Sequence, residues 1–133
     1  MQGMTMRGSS EDGLVAYEGL SFLCKDMTFT LCGRFGVFAI NTKGRFINCV
    51  ITQCGWSGIY CSQNALIEME GSQTKVDGNV TSGDDYGLRA YHPSSIIHLL
   101  FPLTKESVST NNGGGGNYGG RGTLQTVNAL AAL

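Results

Sequence analysis

Short runs of apolar and β-branched residues recur along the chain, and each run is ended by Gly, Asn, Asp or Ser. The clearest runs span residues 27–31, 46–52, 65–69 and 95–100. Short apolar runs bounded by turn residues are typical of β-strands, and no window carries apolar positions at helical spacing. The pattern therefore predicts an all-β chain of many short strands.

A glycine motif recurs at a nearly constant spacing. The copies CGRFGVF and CGWSGIY begin at Cys32 and Cys54, and a looser copy, SGDDYGL, begins at Ser82. The glycine starts fall at positions 13, 36, 58 and 87, with a weaker one at 122. The step between the first starts is the length of one turn of a β-solenoid, and stacked turns ~4.8 Å apart pair each strand with its equivalents. We predict a right-handed single-stranded parallel β-helix of about five short coils.

Other architectures fit this pattern less well. Leucine-rich repeats require the signature L-x-x-L-x-L-x-x-N, which the chain lacks, and propeller blades require ~40 residues in four antiparallel strands. A β-sandwich would show hairpin turns between matched strands. Asp12-Gly13 and Asp77-Gly78 are the candidates for such a turn, and neither stands between well-matched alternating strands.

The repeat divides the chain into residues 1–12, a possible N-terminal cap; residues 13–127, the β-helix; and residues 128–133, a C-terminal tail or cap. We expect an inward ladder of Val15, Val37 or Phe38, Ile59 and Leu88. Cys32 and Cys54 should stack at one corner, and Asn48 and Asn79 should occupy inward turn positions. Phe38 and Tyr60 are expected in the core.

Residues 46–60, FINCVITQCGWSGIY, resemble the repeat of right-handed parallel β-helix proteins. That group includes the pectate-lyase-like polysaccharide enzymes and many non-enzymatic relatives. The resemblance covers about residues 13–100 and implies the architecture rather than an activity. Residues 103–120 also resemble β-helix repeat proteins of large algal DNA viruses. No enzyme motif is matched residue by residue, so no catalytic residue is carried over.

Composition narrows the classes of partner. The net charge is −1, without a basic arm, which argues against nucleic acid and anionic membranes as partners. No signal peptide or membrane-spanning run is visible. The five cysteines include no CxxC pair, so we expect no metal site and no cofactor. Reduced, buried thiols are the better interpretation, and they favour a reducing location such as the cytoplasm or a virion.

Two sets of residues are candidates for function. Asp84, Asp85, Arg89 and His92 are candidate catalytic residues, because paired carboxylates beside an arginine suit uronate or glycoside chemistry. The alternative is a solvated corner on an inserted loop. Trp56, Tyr86 and Tyr91 are candidate ligand-binding residues, because outward aromatic rings stack on sugars. His98 is interpreted as a structural histidine, and glycine-rich residues 111–122 as an irregular loop.

The first functional expectation is a non-enzymatic structural or recognition module, such as a virion or surface component, that associates with itself through its coil ends or a face. One alternative is a polysaccharide (uronate) lyase, epimerase or glycosidase acting on an outer face. Another is a carbohydrate-binding module. Five coils span only ~24 Å, and catalytic members of the resembled group are usually longer, which disfavours the enzyme.

Overall fold

The computed structural model describes residues 1–19 and 21–128, which form three parallel sheets wound into a solenoid. Sheet 1 contains β1 (Thr5–Arg7), β4 (Thr28–Thr30), β7 (Val50–Thr52), β10 (Lys75–Asp77) and β13 (Ser109–Thr110). Sheet 2 contains β2 (Leu14–Ala16), β5 (Val37–Ile40), β8 (Ile59–Ser62), β11 (Tyr86–Ala90) and β14 (Gly116–Gly119). Sheet 3 contains β3 (Ser21–Lys25), β6 (Lys43–Ile47), β9 (Leu66–Glu70), β12 (Ile96–Leu100) and β15 (Thr123–Val127). The predicted fold class, an all-β parallel β-helix of about five coils, is confirmed.

The predicted period holds in the first three coils and lengthens afterwards. In sheet 2, Val37 pairs with Ile59 at the predicted spacing, whereas Ile59 pairs with Leu88, which is a longer step along the chain. In sheet 1, the step from Val76 to its partner Ser109 is longer still. The additional residues form loops between strands, so the later coils carry longer outer loops than the earlier ones.

The glycine starts at 13, 36, 58 and 87 lie along one edge of the solenoid, as predicted, whereas Gly122 precedes β15 of sheet 3 and does not belong to this row. Val37 N–H donates to the Gly58 carbonyl at 2.8 Å, which fixes the glycine row at the start of sheet 2. A Cβ atom on Gly13 would lie 2.7 Å from the Gly36 carbonyl oxygen, and one on Gly58 would lie 3.1 Å from that of Gly87. Glycine recurs in this row because neighbouring coils approach too closely for a side chain.

Sheet 2 contributes one inward ladder, and it differs by one residue from the predicted ladder in the first coil. The members of the ladder are Leu14, Val37, Ile59 and Leu88. Val15 instead points outward and is 47% exposed, and Phe38 is also on the outer face. Because side chains alternate along a strand, a one-residue shift moves a side chain from the core to the surface.

The core is completed by matching ladders in the other two sheets. Sheet 1 contributes Met6, Phe29, Ile51 and Val76, and sheet 3 contributes Phe22, Gly44, Ile67, Ile97 and Leu124. Each fully buried aliphatic or aromatic side chain contributes ~1.5–3 kcal/mol. Glycine occurs within the third ladder because a Cβ on Gly44 would overlap the Phe22 ring.

Single residues with left-handed backbone turn the chain at its corners. The predicted strand at residues 46–52 is in fact two strands, β6 and β7, separated at Asn48, whose φ is 51°. Asn48 occupies a turn, where its Oδ1 accepts the Gln73 N–H at 3.0 Å. Asn79 is inward and 1% exposed, as predicted. Its amide bonds the backbone of Ile51 and Cys54, so a buried polar side chain replaces missing ladder bonds there.

All five cysteines are buried free thiols. Cys32 and Cys54 occupy the same corner of adjacent coils, as predicted, with the Gly55 N–H donating to the Cys32 carbonyl at 2.8 Å. Burial raises the pKa of the Cys54 and Cys61 thiols to about 12. These side chains therefore pack as small apolar groups in the core.

The two ends of the solenoid differ from the predicted caps. Strand β1 lies within residues 1–12, so the repeat starts ahead of residue 13. The last coil carries the short helix α1 (Lys105–Val108), whose N-cap Thr104 forms a capping box with Ser107. The predicted tail, residues 128–133, lies outside the described residues except for Asn128. Neither described range contains a helix long and apolar enough to cross a bilayer.

Candidate functional site

The outer face of sheet 2 carries a groove of about 500 Å³ lined by aromatic and charged side chains. Its aromatic residues are Phe35, Phe38, Trp56, Tyr60 and Tyr91, and its polar residues are Arg89 and the segment 82–85. We call this the aromatic groove. Five of the candidate residues from the sequence line this groove: Asp84, Asp85, Arg89, Trp56 and Tyr91.

The floor of the aromatic groove is an outward ladder of rings. Phe38, Tyr60 and Arg89 occupy the same register position in successive coils. The Phe38 and Tyr60 ring centroids are 5.2 Å apart with the planes 2° from parallel, and Tyr91 follows 5.7 Å from Tyr60. Phe38 and Tyr60 are therefore half-buried on the outer face of sheet 2, so the prediction that they lie in the core is wrong. Burial against these neighbours raises the pKa of the Tyr60 hydroxyl.

Because the ladder rings stack on one another, their faces are largely occupied and their edges face the groove. Tyr91 stands at the end of the stack and is 48% exposed. Trp56 is half-buried at the rim, with its ring edge-on to Phe35 at 5.1 Å and the Arg34 guanidinium 5.0 Å from its centre. A ligand would thus meet exposed aromatic surface mainly at Tyr91, and at Trp56 it would meet the ring together with the Arg34 guanidinium.

The polar wall of the groove is the loop that lengthens the fourth coil. Three backbone hydrogen bonds place it on the coil below: Val80 N–H donates to the Trp56 carbonyl at 3.0 Å, Thr81 N–H to Cys54 at 3.3 Å, and Ser82 N–H to Gly55 at 3.0 Å. The loop thereby carries Asp84 and Asp85 to the aromatic ladder. The insertion seen in the sequence is consequently a part of the site.

Arg89 links the carboxylates to the aromatic rings. Its Nη1 lies 2.5 Å from Asp85 Oδ1, and its guanidinium carbon lies 5.0 Å from the centre of the Tyr91 ring. The Arg89 Nε is buried without a hydrogen-bond partner among the described residues. Asp84 is exposed, so it is the carboxylate that is not committed to this ion pair. The arrangement offers a hydrogen-bond acceptor beside a cation held against aromatic rings.

Tyr86 does not line the aromatic groove, although the sequence places it among the candidate ligand-binding residues. A Cβ on either Gly115 or Gly119 would lie 2.7 Å from the Tyr86 ring, so this ring packs beneath the glycine-rich segment. That segment was predicted as an irregular loop, but residues Gly116–Gly119 form β14. Glycine is needed there because the backbone runs directly over Tyr86.

His92 lies in a second groove of about 410 Å³, beside the first. It is lined by Arg89, Tyr91, His92, Pro93, Gly120 and Arg121, and we call it the basic pocket. Arg89 and Tyr91 line both grooves. Thus His92 is a neighbour of the candidate carboxylates but does not share their groove. His98 lines neither groove: it points outward from β12 between the buried Ile97 and Leu99.

Sequence reasoning missed Phe35, Phe38, Tyr60 and Arg121 as site residues. A signal existed for two of them: Arg89 stands one residue after Leu88, just as Phe38 follows Val37 and Tyr60 follows Ile59. A charged member identifies that ladder as outward. Arg121 carried no signal, because its position depends on the lengths of the loops in the last two coils.

Comparisons add no assignment to this geometry. No family model, no curated protein and no solved structure matches the chain. In the part of the chain that the structure describes, no group of three or more His, Cys, Asp or Glu side chains is placed to hold a metal ion.

Proposed function

We propose that the protein is a non-enzymatic recognition module that binds carbohydrate in the aromatic groove. The observation that carries this proposal is the meeting of exposed aromatic surface with Asp84, Asp85 and Arg89 in one groove of about 500 Å³. A sugar ring presents C–H groups that pack on aromatic rings and hydroxyls that bond carboxylates and guanidinium groups. The groove supplies both kinds of contact over a length of three coils.

The single tryptophan allows a direct test. Trp56 is the only Trp in the chain and lines the groove, so its fluorescence should report occupancy by short oligosaccharides. We expect saturable quenching or enhancement with one class of neutral or acidic oligosaccharide, and calorimetry to give a matching affinity.

The matched variants are Tyr91→Ala and Tyr17→Ala. Tyr91 and Tyr17 are similarly exposed, at 48% and 52%, but Tyr17 lies on the first coil outside the groove. Tyr91→Ala should weaken binding by about tenfold, as expected for ~1–1.5 kcal/mol of aromatic contact, whereas Tyr17→Ala should not change it. Absence of binding to any glycan on a broad array would refute the proposal.

A polysaccharide lyase, epimerase or glycosidase is a second candidate, favoured by two carboxylates and an arginine in the same groove. The ion pair between Asp85 and Arg89 works against it, since both groups are committed to each other. The test is turnover of uronate polymers and neutral glycans. Turnover that disappears in an Asp84→Asn, Asp85→Asn variant that still folds would replace the binding proposal by an enzymatic one.

Self-association through the first coil is favoured by a different observation. Of the eight large apolar side chains that are exposed among the described residues, five lie there: Met1, Met4, Val15, Tyr17 and Leu23. An apolar groove of about 530 Å³ opens beside the unpaired edges of β2 and β3, and such edges accept another strand. We propose a second copy as the occupant. Sedimentation equilibrium should show a dimer that Val15→Arg disrupts and Phe101→Arg, a control on the fourth coil, does not; a concentration-independent monomer would contradict it.

A further inference from the structure

The basic pocket differs in charge from the aromatic groove that it adjoins. Its six lining residues include two arginines and one histidine and no acidic residue. Asp84 and Asp85 line only the aromatic groove, on the other side of Arg89. The surface is therefore polarised, with carboxylates on one side of Arg89 and donors on the other.

Arg121 supplies an uncommitted guanidinium to this pocket. It is exposed and takes part in no ion pair with the described residues. Its backbone, in contrast, is anchored, because the Gly122 N–H donates to the Ala90 carbonyl at 2.9 Å and Arg121 N–H to that of Tyr91 at 3.4 Å. An anchored backbone with a free, forked donor is suited to grip a planar or tetrahedral oxyanion.

His92 adds a donor of defined orientation. The Ser94 N–H donates to His92 Nδ1 at 3.1 Å, which makes Nδ1 the acceptor nitrogen of the neutral ring. In the neutral ring the proton is then on Nε2, which leaves Nε2 as the donor that this lining side chain can offer. Arg89 adds further capacity, because the one hydrogen bond that its side chain makes within the described chain is that from Nη1 to Asp85.

The side chains of Arg89 and Arg121 can only donate hydrogen bonds, and the one acceptor nitrogen of the neutral His92 ring is already taken by Ser94, so these three groups favour a ligand rich in acceptors. We propose that the basic pocket binds the anionic substituent, a carboxylate or a sulfate ester, of the saccharide whose ring lies in the aromatic groove. This inference rests on the proposed function, because Arg89 and Tyr91 line both grooves, so a ligand bound in the aromatic groove can extend into the basic pocket. The ligand is accordingly an acidic oligosaccharide rather than a neutral one.

The test uses pairs of ligands that differ only in charge. Oligogalacturonate and its methyl ester form the carboxylate pair, and sulfated dextran oligomers and dextran form the sulfate pair. In calorimetry on the full chain, the charged member of one pair should bind about 10- to 100-fold more tightly, the range of a charge-assisted hydrogen bond. The pair that shows the difference identifies the substituent.

Arg121→Gln should remove that preference and leave binding of the neutral member unchanged. Arg7→Gln is the matched control, since Arg7 is also exposed, lies on the first coil, and contributes the same charge. Equal losses in the two variants, or equal loss of the neutral ligand in Arg121→Gln, would overturn the inference. Equal binding of both members of each pair refutes the inference alone, whereas no binding of these ligands or of any glycan on a broad array refutes the proposed function as well.

Discussion

Asn79 stands at the base of the loop that forms the polar wall of the aromatic groove, and its replacement by alanine should unfold that region first. Its Oδ1 accepts the Cys54 N–H at 3.0 Å, and its Nδ2 donates to the Ile51 carbonyl at 2.9 Å and to Asn112 Oδ1 at 3.2 Å. Asn79 itself is 1% exposed, and Ile51 and Cys54 are no more than 1% exposed. Water cannot readily replace the amide at this position.

The magnitude follows from the groups that lose their partner. Asn79→Ala leaves one buried N–H and one buried carbonyl unpaired, at ~1–3 kcal/mol each, so we expect a loss of about 2–6 kcal/mol. For a domain of this size that corresponds to a decrease of roughly 6–24 °C in Tm. A typical domain is stable by ~5–15 kcal/mol, and most of that range exceeds the expected loss. The variant should therefore remain folded at low temperature.

Urea unfolding monitored by Trp56 fluorescence measures the loss directly, since Val80 N–H donates to the Trp56 carbonyl beside Asn79. Asn128→Ala is the control, because Asn128 is exposed and such changes stay within about 0.5 kcal/mol. If Asn79→Ala proved no more destabilising than Asn128→Ala, the buried backbone groups would not depend on hydrogen bonds from the Asn79 amide, and the account of this corner would be wrong.

Three further predictions concern other parts of the solenoid. The thiols of Cys54 and Cys61, whose pKa burial raises to about 12, should resist alkylation at mildly alkaline pH in the native protein and react after denaturation; rapid native labelling would contradict their burial. Gly44→Ala should destabilise by ~1–3 kcal/mol, as its Cβ would overlap the Phe22 ring, and Phe22→Ala in the same chain should reduce that penalty. Hydrogen bonds from the next coil lower the pKa of Asp77 in the folded protein. The ionised carboxylate therefore stabilises the fold at a pH above the pKa of Asp77 in the unfolded chain, and this stabilisation is lost as the pH falls through the pKa in the folded protein. Asp77→Asn should thus lower Tm at neutral pH and have little effect in strong acid.

The fold was predictable because successive turns of a solenoid repeat a similar spacing of glycine and apolar residues, and that spacing is visible in the sequence. The recurrence of Cys32-Gly33 at Cys54-Gly55 sets the length of a coil, and the coil determines which residues stack. Asn79 could be assigned an inward turn position because an amide at a corner can bond the backbone there. The ladder of sheet 2 was harder, since Val15 and its neighbour Leu14 are both apolar and either fits the pattern.

The composition of the candidate site was only partly predictable from the sequence. Asp84, Asp85 and Arg89 are close in sequence, and their proximity follows from one loop and one strand. Their meeting with Trp56 depends on the register between coils, which brings residues from different coils onto one face. That register is determined by backbone bonds such as the one from Ser82 to Gly55, and these bonds have no signature in a single sequence.

By itself, the sequence determined the coil period, the all-β class and the burial of the cysteines, because these depend on local spacing and on glycine where coils approach. Only the tertiary structure decided that Phe38 and Tyr60 face outward and that Arg121 joins Arg89 and His92 in one pocket. The physical reason is that a side chain's face follows from the strand pairing, and that loops of unequal length decide which distant side chains become neighbours.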